Sequence, residues 1–405
     1  MNQNYHVASD SMIDRLISGN TLSIRLSETV RDFAPISRAD IARQLKISPS
    51  TIGRAVDRLI EKKVISEQGQ NYGQQAGRPS KILRFNPDIA SVLAVDLRLT
   101  QVYVAVSNLD GRVLYSSTEP LPREDPQSSI EALLKIIQRQ VDALGDAPPL
   151  RGIVIGAPSI VDPDAGIVEW APSLGWKNLP LGRIISSSFN LPVHIENDVN
   201  LAALGEYWKG VAQRASSMVF VSVGTGVGAG IVQKGELYYG ATHAAGEVGY
   251  IITDLKTLHD EVGKMGNLEV RLGEEGTITR ANLIAQRYPS SKLAELIKMN
   301  GTGVRAHEIF ELYAQGDPAA HVIVNETVDL LTVVFTNISL MLDPEIMVLG
   351  GPSDWKWAMI VSAIQDRIGS SLLRPVNIVP SLLGRDAVIK GATYIAIRLA
   401  GILPK

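Results

Sequence analysis

Residues 218–233 read MVFVSVGTGVGAGIVQ, a glycine-rich turn (Gly224-Thr225-Gly226-Val227-Gly228-Ala229-Gly230) set between strands at 218–223 and 227–233. The same pattern occurs at 92–97 and 101–107, inside SVLAVDLRLTQVYVAVS, so one hairpin unit is used twice. Around these pairs, strands alternate with helices. A helix is expected over 128–144, followed by the apolar strand RGIVIGAP at 151–158. VHIEND at 193–198 and EIMVLGG at 345–351 add strands, and a final helix is expected over 389–401. Interleaved strands and helices over 405 residues predict an α/β protein with two lobes.

Composition narrows the function classes. Apolar residues make up 45% and charged residues 20%, enough for a sizeable core. There are no cysteines, which excludes disulfides, Cys-ligated zinc, iron–sulfur clusters and thiol nucleophiles. No apolar run approaches the roughly 18 residues needed to span a bilayer. The polar start Met1-Asn2-Gln3-Asn4 does not read as a signal peptide, so a cytoplasmic protein with no membrane partner is expected.

The net charge of −3 conceals an asymmetry. Residues 1–90 hold 13 Lys and Arg against 9 Asp and Glu, while residues 91–405 hold 26 against 33. Within 37–84 the split is 10 to 4. A basic module ahead of an acidic body points the module toward a polyanion. Its pattern agrees. Leu22, Leu26, Val30 and Phe33 recur at helical spacing, and Ser37 can cap a second helix over 38–45. Ser48-Pro49 has the form of an N-cap with proline in the first helical position, opening a third helix to about Lys62. Two helices joined by a short turn make a helix-turn-helix, and short strands at 64–66 and 82–85 add a wing. Ser48, Ser50, Thr51, Arg54 and Arg58 are the candidate DNA-contacting residues, since Ser and Thr suit phosphates and Arg suits guanine. Gly77-Arg78-Pro79 resembles the minor-groove insert of an AT-hook, which makes Arg78 a further candidate. The stretch around 68–90 reads as the linker to the body.

In the body, Glu196-Asn197-Asp198 ends a strand, where a carboxylate and an amide could hold sugar hydroxyls or activate one. A cap for the helix after 198 is the competing reading. Ala245-Gly246-Glu247-Val248-Gly249-Tyr250 brings another acid into a glycine-flanked loop. Together with GIVIGAPSIVDPDAG, APSLGWKN, ENDVNLAALGE, GTGVGAGIVQKGELYYG and DPEIMVLGG, these stretches resemble the ROK family of repressors, open reading frames and sugar kinases. The resemblance implies a two-lobed ribonuclease-H-like (actin-like ATPase) sugar-kinase fold, preceded by the N-terminal winged helix-turn-helix. It also implies sugar-binding roles for Asn197, Asp198, Glu247, Tyr250 and Glu269.

Departures from the family pattern shape the functional expectation. The family's kinases open their first lobe with an Asp-x-Gly-Gly-Thr turn; here Asp96-Leu97-Arg98-Leu99-Thr100 places two side chains where the glycines belong. ATP binding is expected to be lost. The zinc site of the family uses one His and three Cys, whose positions hold Tyr250, Asp260, Val262 and Asn267, so no metal of that kind is expected. No cofactor is expected either. The domains read as 1–85 for DNA binding and 90–405 for effector binding. Lobe one covers about 90–205 plus the C-terminal helix, and lobe two about 206–385. The expectation is a sugar-responsive repressor of carbohydrate-metabolism genes rather than an enzyme, with operator DNA and a sugar or sugar derivative as partners. It would act as a homodimer or homotetramer. The alternatives are an ATP-dependent sugar kinase with Asp198 as catalytic base, and a regulator that answers to a partner protein.

Overall fold

The computed structural model describes residues 21–71, 80–98, 101–122, 125–145, 147–171, 174–213, 215–258, 266–301, 304–351, 356–369 and 374–399. The chain begins with helix α1 (Thr21–Phe33), strand β1 (Ile36–Ser37), helices α2 (Arg38–Leu45) and α3 (Pro49–Glu61), and strands β2 (Ile65–Asn71) and β3 (Ser80–Phe85). Ser37 caps α2 through a reciprocal pair: its hydroxyl accepts from Asp40 N while the Asp40 carboxylate accepts from Ser37 N. Lys46 ends that helix in the left-handed conformation, and Ser48 caps α3 with Pro49 behind it. The helices bury Leu26, Val30, Ile41, Ile52, Val56 and Leu59 against Leu83 of the antiparallel sheet β1-β3-β2. Phe33 departs from the sequence reading: α1 stops on it, and it stands 56% exposed. The linker expected around 68–90 is also largely absent among the described residues. β2 reaches Asn71, β3 pairs back onto it, and a 3-10 turn at Pro87–Ile89 leads straight into the body.

The body holds two five-stranded sheets. The first is built from β4 (Ser91–Leu97), β5 (Gln101–Asn108), β6 (Val113–Pro120), helix α4 (Pro126–Asp142) and β7 (Leu150–Ala157). A small sheet, β8 (Ile160–Asp162), β9 (Ile167–Ala171) and β10 (Trp176–Leu179), precedes helix α5 (Leu181–Phe189), β11 (Val193–Asn197) and helix α6 (Asp198–Lys209). The second large sheet begins with β12 (Ser217–Val223), β13 (Val227–Gln233) and β14 (Glu236–Leu237). Helices α7 (Glu269–Leu272), α8 (Glu274–Arg287), α9 (Lys292–Asn300), α10 (Ala306–Ala314) and α11 (Pro318–Leu342) follow. Then come β15 (Ile346–Gly350), α12 (Trp357–Ile368), β16 (Ile378–Pro380) and α13 (Ala387–Leu399).

The sheet orders are β11-β7-β4-β5-β6 and β14-β13-β12-β15-β16. Each contains an antiparallel hairpin (β4–β5, β12–β13) whose first strand runs parallel to its other neighbour. The duplicated hairpin therefore seeds two like-built lobes. α6 and α13 pack together, with α6 reaching β12 and β13 of the second sheet and α13 reaching β4 and β7 of the first. The glycine pattern serves this packing. A Cβ on Gly230 of β13 would come within 2.6 Å of Ala203 Cβ and 2.9 Å of Val199 O on α6. That part of the glycine run lets a helix lie on a strand. α11 is long and apolar enough to cross a membrane, but its Ile323, Val324, Leu331, Val334 and Phe335 are buried in the core of the second lobe.

Candidate functional site

Two surfaces carry the sequence-derived candidates. On α3, the Ser48 hydroxyl accepts from Thr51 N and lies 2.8 Å from Thr51 Oγ1 and 3.2 Å from Ser50 Oγ. Ser48 thus holds the helix start, while Ser50, Arg54 and Arg58 stand exposed. Arg38 donates to Asp57 of α3 (2.6 Å) and to Glu67 of β2 (2.9 Å), and Glu67 also takes Lys81 of β3 (3.0 Å). These pairs fasten helix and wing to each other and occupy two acids that would otherwise oppose an anionic ligand. Neither Arg54 nor Arg58 has an acidic partner among the described residues. Arg78 lies outside the described residues.

The second surface lies where strands β4, β7 and β11 end. These three run parallel, so Asp96, Ser159 and Asn197 collect at their carboxyl ends, the usual binding edge of such a sheet. Asn197 is the N-cap of α6: its Oδ1 accepts from Val199 N (2.8 Å) and Asn200 N (3.0 Å), and its Nδ2 donates to Ser159 O (3.0 Å). The cap is therefore Asn197, and Asp198 stands as first residue of the helix, its Oδ1 accepting from Val199 N at 2.9 Å. Burial, the Asp96 charge and the Glu247 charge together push Asp198 up to about 7. Burial and Glu269 likewise raise Glu247. Tyr250 is raised by burial, Glu269 and Glu247, although the residue remains 42% exposed. Asp198, Glu247, Tyr250 and Glu269 thus lie close enough to act on one another's charge, with Asn197 beside Asp198 along the chain.

Glu269 reaches back to the glycine turn. Its two carboxylate oxygens accept from Val227 N and Gly266 N, each at 3.3 Å, and a Cβ on Gly226 would meet Oε1 at 2.5 Å. Arg98 Nε donates to Asp96 Oδ2 at 2.6 Å, its guanidinium stands over the Tyr103 ring, and NH2 reaches Arg385 O. Burial raises Asp96 and the Arg98 charge opposes that rise. Arg98 therefore occupies the end of β4, where the sequence pattern of the family's kinases has a glycine; Leu99 lies outside the described residues. Asn267, at one zinc-ligand position, holds a buried Oδ1 without a hydrogen bond, while Asp260 and Val262 lie outside the described residues.

Sequence reading missed the support beneath this site. Glu196 is fully buried and accepts from Asn197 N (2.8 Å), Asn200 Nδ2 (3.0 Å) and Tyr239 OH (2.8 Å), the last from the second lobe. A charged residue directly after Ile195 at the end of a core strand was the available signal. Asp162, Asp164 and His243 bring ligand-type atoms within 4.8 Å of one another, with the His243 ring edge-on to Tyr239.

Comparison with known proteins sets these surfaces in context. The ROK family model matches residues 92–398, and a winged helix-turn-helix DNA-binding model matches 22–66. The chain is 27% identical over 354 residues to the xylose repressor of Caldicellulosiruptor bescii, covering 84% of this chain and 85% of the relative. Among solved structures, a ROK family transcriptional regulator described as a homolog of the E. coli MLC protein superposes with a TM-score of 0.82. It is 25% identical, with 94% of this chain and 96% of that chain covered. A ROK family glucokinase from Streptomyces griseus, solved with glucose and AMPPNP, gives 0.64 at 26% identity. There the match covers 76% of this chain and all 100% of the enzyme.

Proposed function

Because the chain belongs to the ROK family and carries a winged helix-turn-helix ahead of the family's two-lobed body, we propose that it is a sugar-responsive repressor of carbohydrate-metabolism genes. Residues 1–85 bind operator DNA, with Ser50, Thr51, Arg54 and Arg58 presented to the major groove and Arg78 to the minor groove. Residues 90–405 bind the effector between their lobes. The observation that carries this reading is the group of acids at the N-terminus of α6. Asp198, Glu247 and Glu269 accept hydrogen bonds from sugar hydroxyls, and Tyr250 adds a hydroxyl of its own. One engaged cation, Arg98, against Asp96 and these three acids disfavours a phosphorylated ligand, so the effector is an uncharged monosaccharide. The likeness to a xylose repressor makes D-xylose the first candidate. The protein works in the cytoplasm and as at least a dimer, because operator half-sites one helical turn apart need two DNA-binding units.

A sugar kinase is the competing reading, favoured by an Asp198 held at about 7, a suitable value for a general base. Against it stands Arg98 on Asp96, at the place where the family's kinases meet nucleotide phosphate. Operator release titrated with D-xylose, D-glucose, N-acetyl-D-glucosamine and their phosphates tests the proposal. Asp198→Ala and Glu247→Ala should abolish the response, while sugar-free operator affinity stays near wild type. Release at the wild-type sugar concentration in either variant would remove that acid from the effector site.

A further inference from the structure

Asp198 lies at the N-terminus of α6, and the opposite end of that helix rests on the β5–β6 turn, which holds the connection to the DNA-binding unit. α6 has twelve residues, so its ends are about 18 Å apart. At its C-terminal end the Trp208 indole lies on the β5–β6 turn: a Cβ on Gly111 would come within 2.7 Å of the ring. Gly111 has φ +79°, which leaves little room for any other residue. Lys209 pairs with Asp110 at 3.1 Å, and Lys390 of α13 donates to Gly111 O at 2.6 Å.

The other side of the same turn grips the chain leaving the winged unit. Asn108 Nδ2 and Arg112 both donate to Asp88 Oδ1, at 2.7 and 2.9 Å, and Leu109 N donates to Pro87 O at 3.0 Å. Asn86 continues the chain of contacts, with Nδ2 donating to Lys63 O at 2.8 Å and N donating to Val64 O at 2.9 Å, just past the end of α3. Apolar packing follows the same route. One continuous cluster of buried residues runs from Ile52 and Leu59 of α3 through Ala90 and Leu109 to Leu201 and Leu204 of α6.

We propose that the β5–β6 turn, Asn108–Arg112, is the joint through which a ligand at the head of α6 moves the DNA-binding unit, with Asp88, Asn108 and Trp208 as its positioning residues. This rests on the effector reading given above. A displacement of α6 as the lobes close around sugar is delivered by Trp208 to the turn, and by the turn to Asp88 and the base of α3. The turn passes on the movement because Gly111 is packed under Trp208 on one side while Asn108 and Arg112 hold Asp88 on the other.

The test uses the full-length chain, a DNA duplex selected from a random pool by the wild-type protein, and as probe D-xylose, D-glucose or N-acetyl-D-glucosamine, whichever weakens duplex binding by the wild type. Sugar affinity, operator affinity without sugar, and the factor by which the sugar weakens operator binding are measured separately. Asp88→Ala cuts the joint on one side and Trp208→Leu on the other. Each should keep both separate affinities within about threefold of wild type, while a coupling factor of about tenfold or more falls below about twofold. The conservative variants Asp88→Asn and Trp208→Phe, which keep an acceptor and an aromatic ring, should retain most of the coupling. Melting temperature identifies any variant that has merely unfolded; Asp88 is exposed, so its variant keeps the fold. Full coupling in both Ala and Leu variants overturns the joint. A wild-type protein that binds the duplex but answers none of D-xylose, D-glucose and N-acetyl-D-glucosamine overturns the effector reading instead, and the joint with it.

Discussion

Asp198 is held from its ordinary 3.8 up to about 7, chiefly by burial and then by Asp96 and Glu247. Between those values the folded chain keeps a proton that the unfolded chain has released, so stability falls as pH rises from about 4 through about 7. Asp198→Asn removes that ionisation. It should melt a few degrees above wild type at about pH 8 and close to it at about pH 5. Sugar binding carries the opposite sign, because an ionised carboxylate is the better acceptor. Wild-type sugar affinity should tighten about tenfold between about pH 6 and pH 8, and the Asn variant should be flat. Isothermal titration across that range checks it; a flat wild-type profile would mean that Asp198 is charged throughout. The acids themselves were legible from their motifs. The division of labour within Glu196-Asn197-Asp198 was not, because it depends on which group reaches the free amides of α6 and which reaches Tyr239 of the second lobe. Those partners are set by tertiary approach, which residue spacing does not encode.

Among the elements, α2 and α3 follow directly from local signals: Ser37 with Asp40 three positions on, and Ser48 before Pro49. What those signals omit is how helix and wing are joined. Arg38 tied to Asp57 and Glu67 could not be read from periodicity, since the three residues lie on three different elements. The consequence for DNA binding is that α3 is presented on a braced frame, with Arg54 on its exposed side. Arg54→Ala should weaken binding to the specific operator by about 1–3 kcal/mol, measured by fluorescence anisotropy, and relax the base preference at one position. An equal loss on random DNA would reduce Arg54 to a phosphate contact. The glycine run at 224–230 shows the reverse case, where a motif was legible but its roles were mixed. Gly226 leaves room for the Glu269 carboxylate, whereas Gly230 leaves room for α6. Only the crossing of helix over strand separates the two.

At the scale of the whole molecule, the two lobes share the fold of a glucokinase solved with glucose and a nucleotide analogue. The resemblance to the family's kinases puts a glycine turn at the end of β4, where this chain has Arg98 and Leu99. Arg98 is bonded there to the buried Asp96 and reaches the carbonyl of Arg385 just before α13. The guanidinium is held on three sides, by Asp96, Arg385 O and the Tyr103 ring, and is poorly placed to turn outward to phosphate. Millimolar ATP should therefore leave the melting temperature unchanged, with or without D-xylose, and sugar-dependent ADP release should stay at the buffer background. Arg98→Ala separates bracing from binding. It strips a nearly buried carboxylate of its cation, which should cost about 1–3 kcal/mol of stability by denaturant titration. Kinase activity should not appear, because Leu99 still fills a sequence position where the family's kinases have glycine and Glu269 still engages the Val227 amide of the glycine turn. ATP turnover in the wild type that disappears in Asp198→Ala would make the protein an enzyme with a DNA-binding arm. A stable, silent wild type with a destabilised, silent Arg98→Ala would mark the end of β4 as part of the protein's frame.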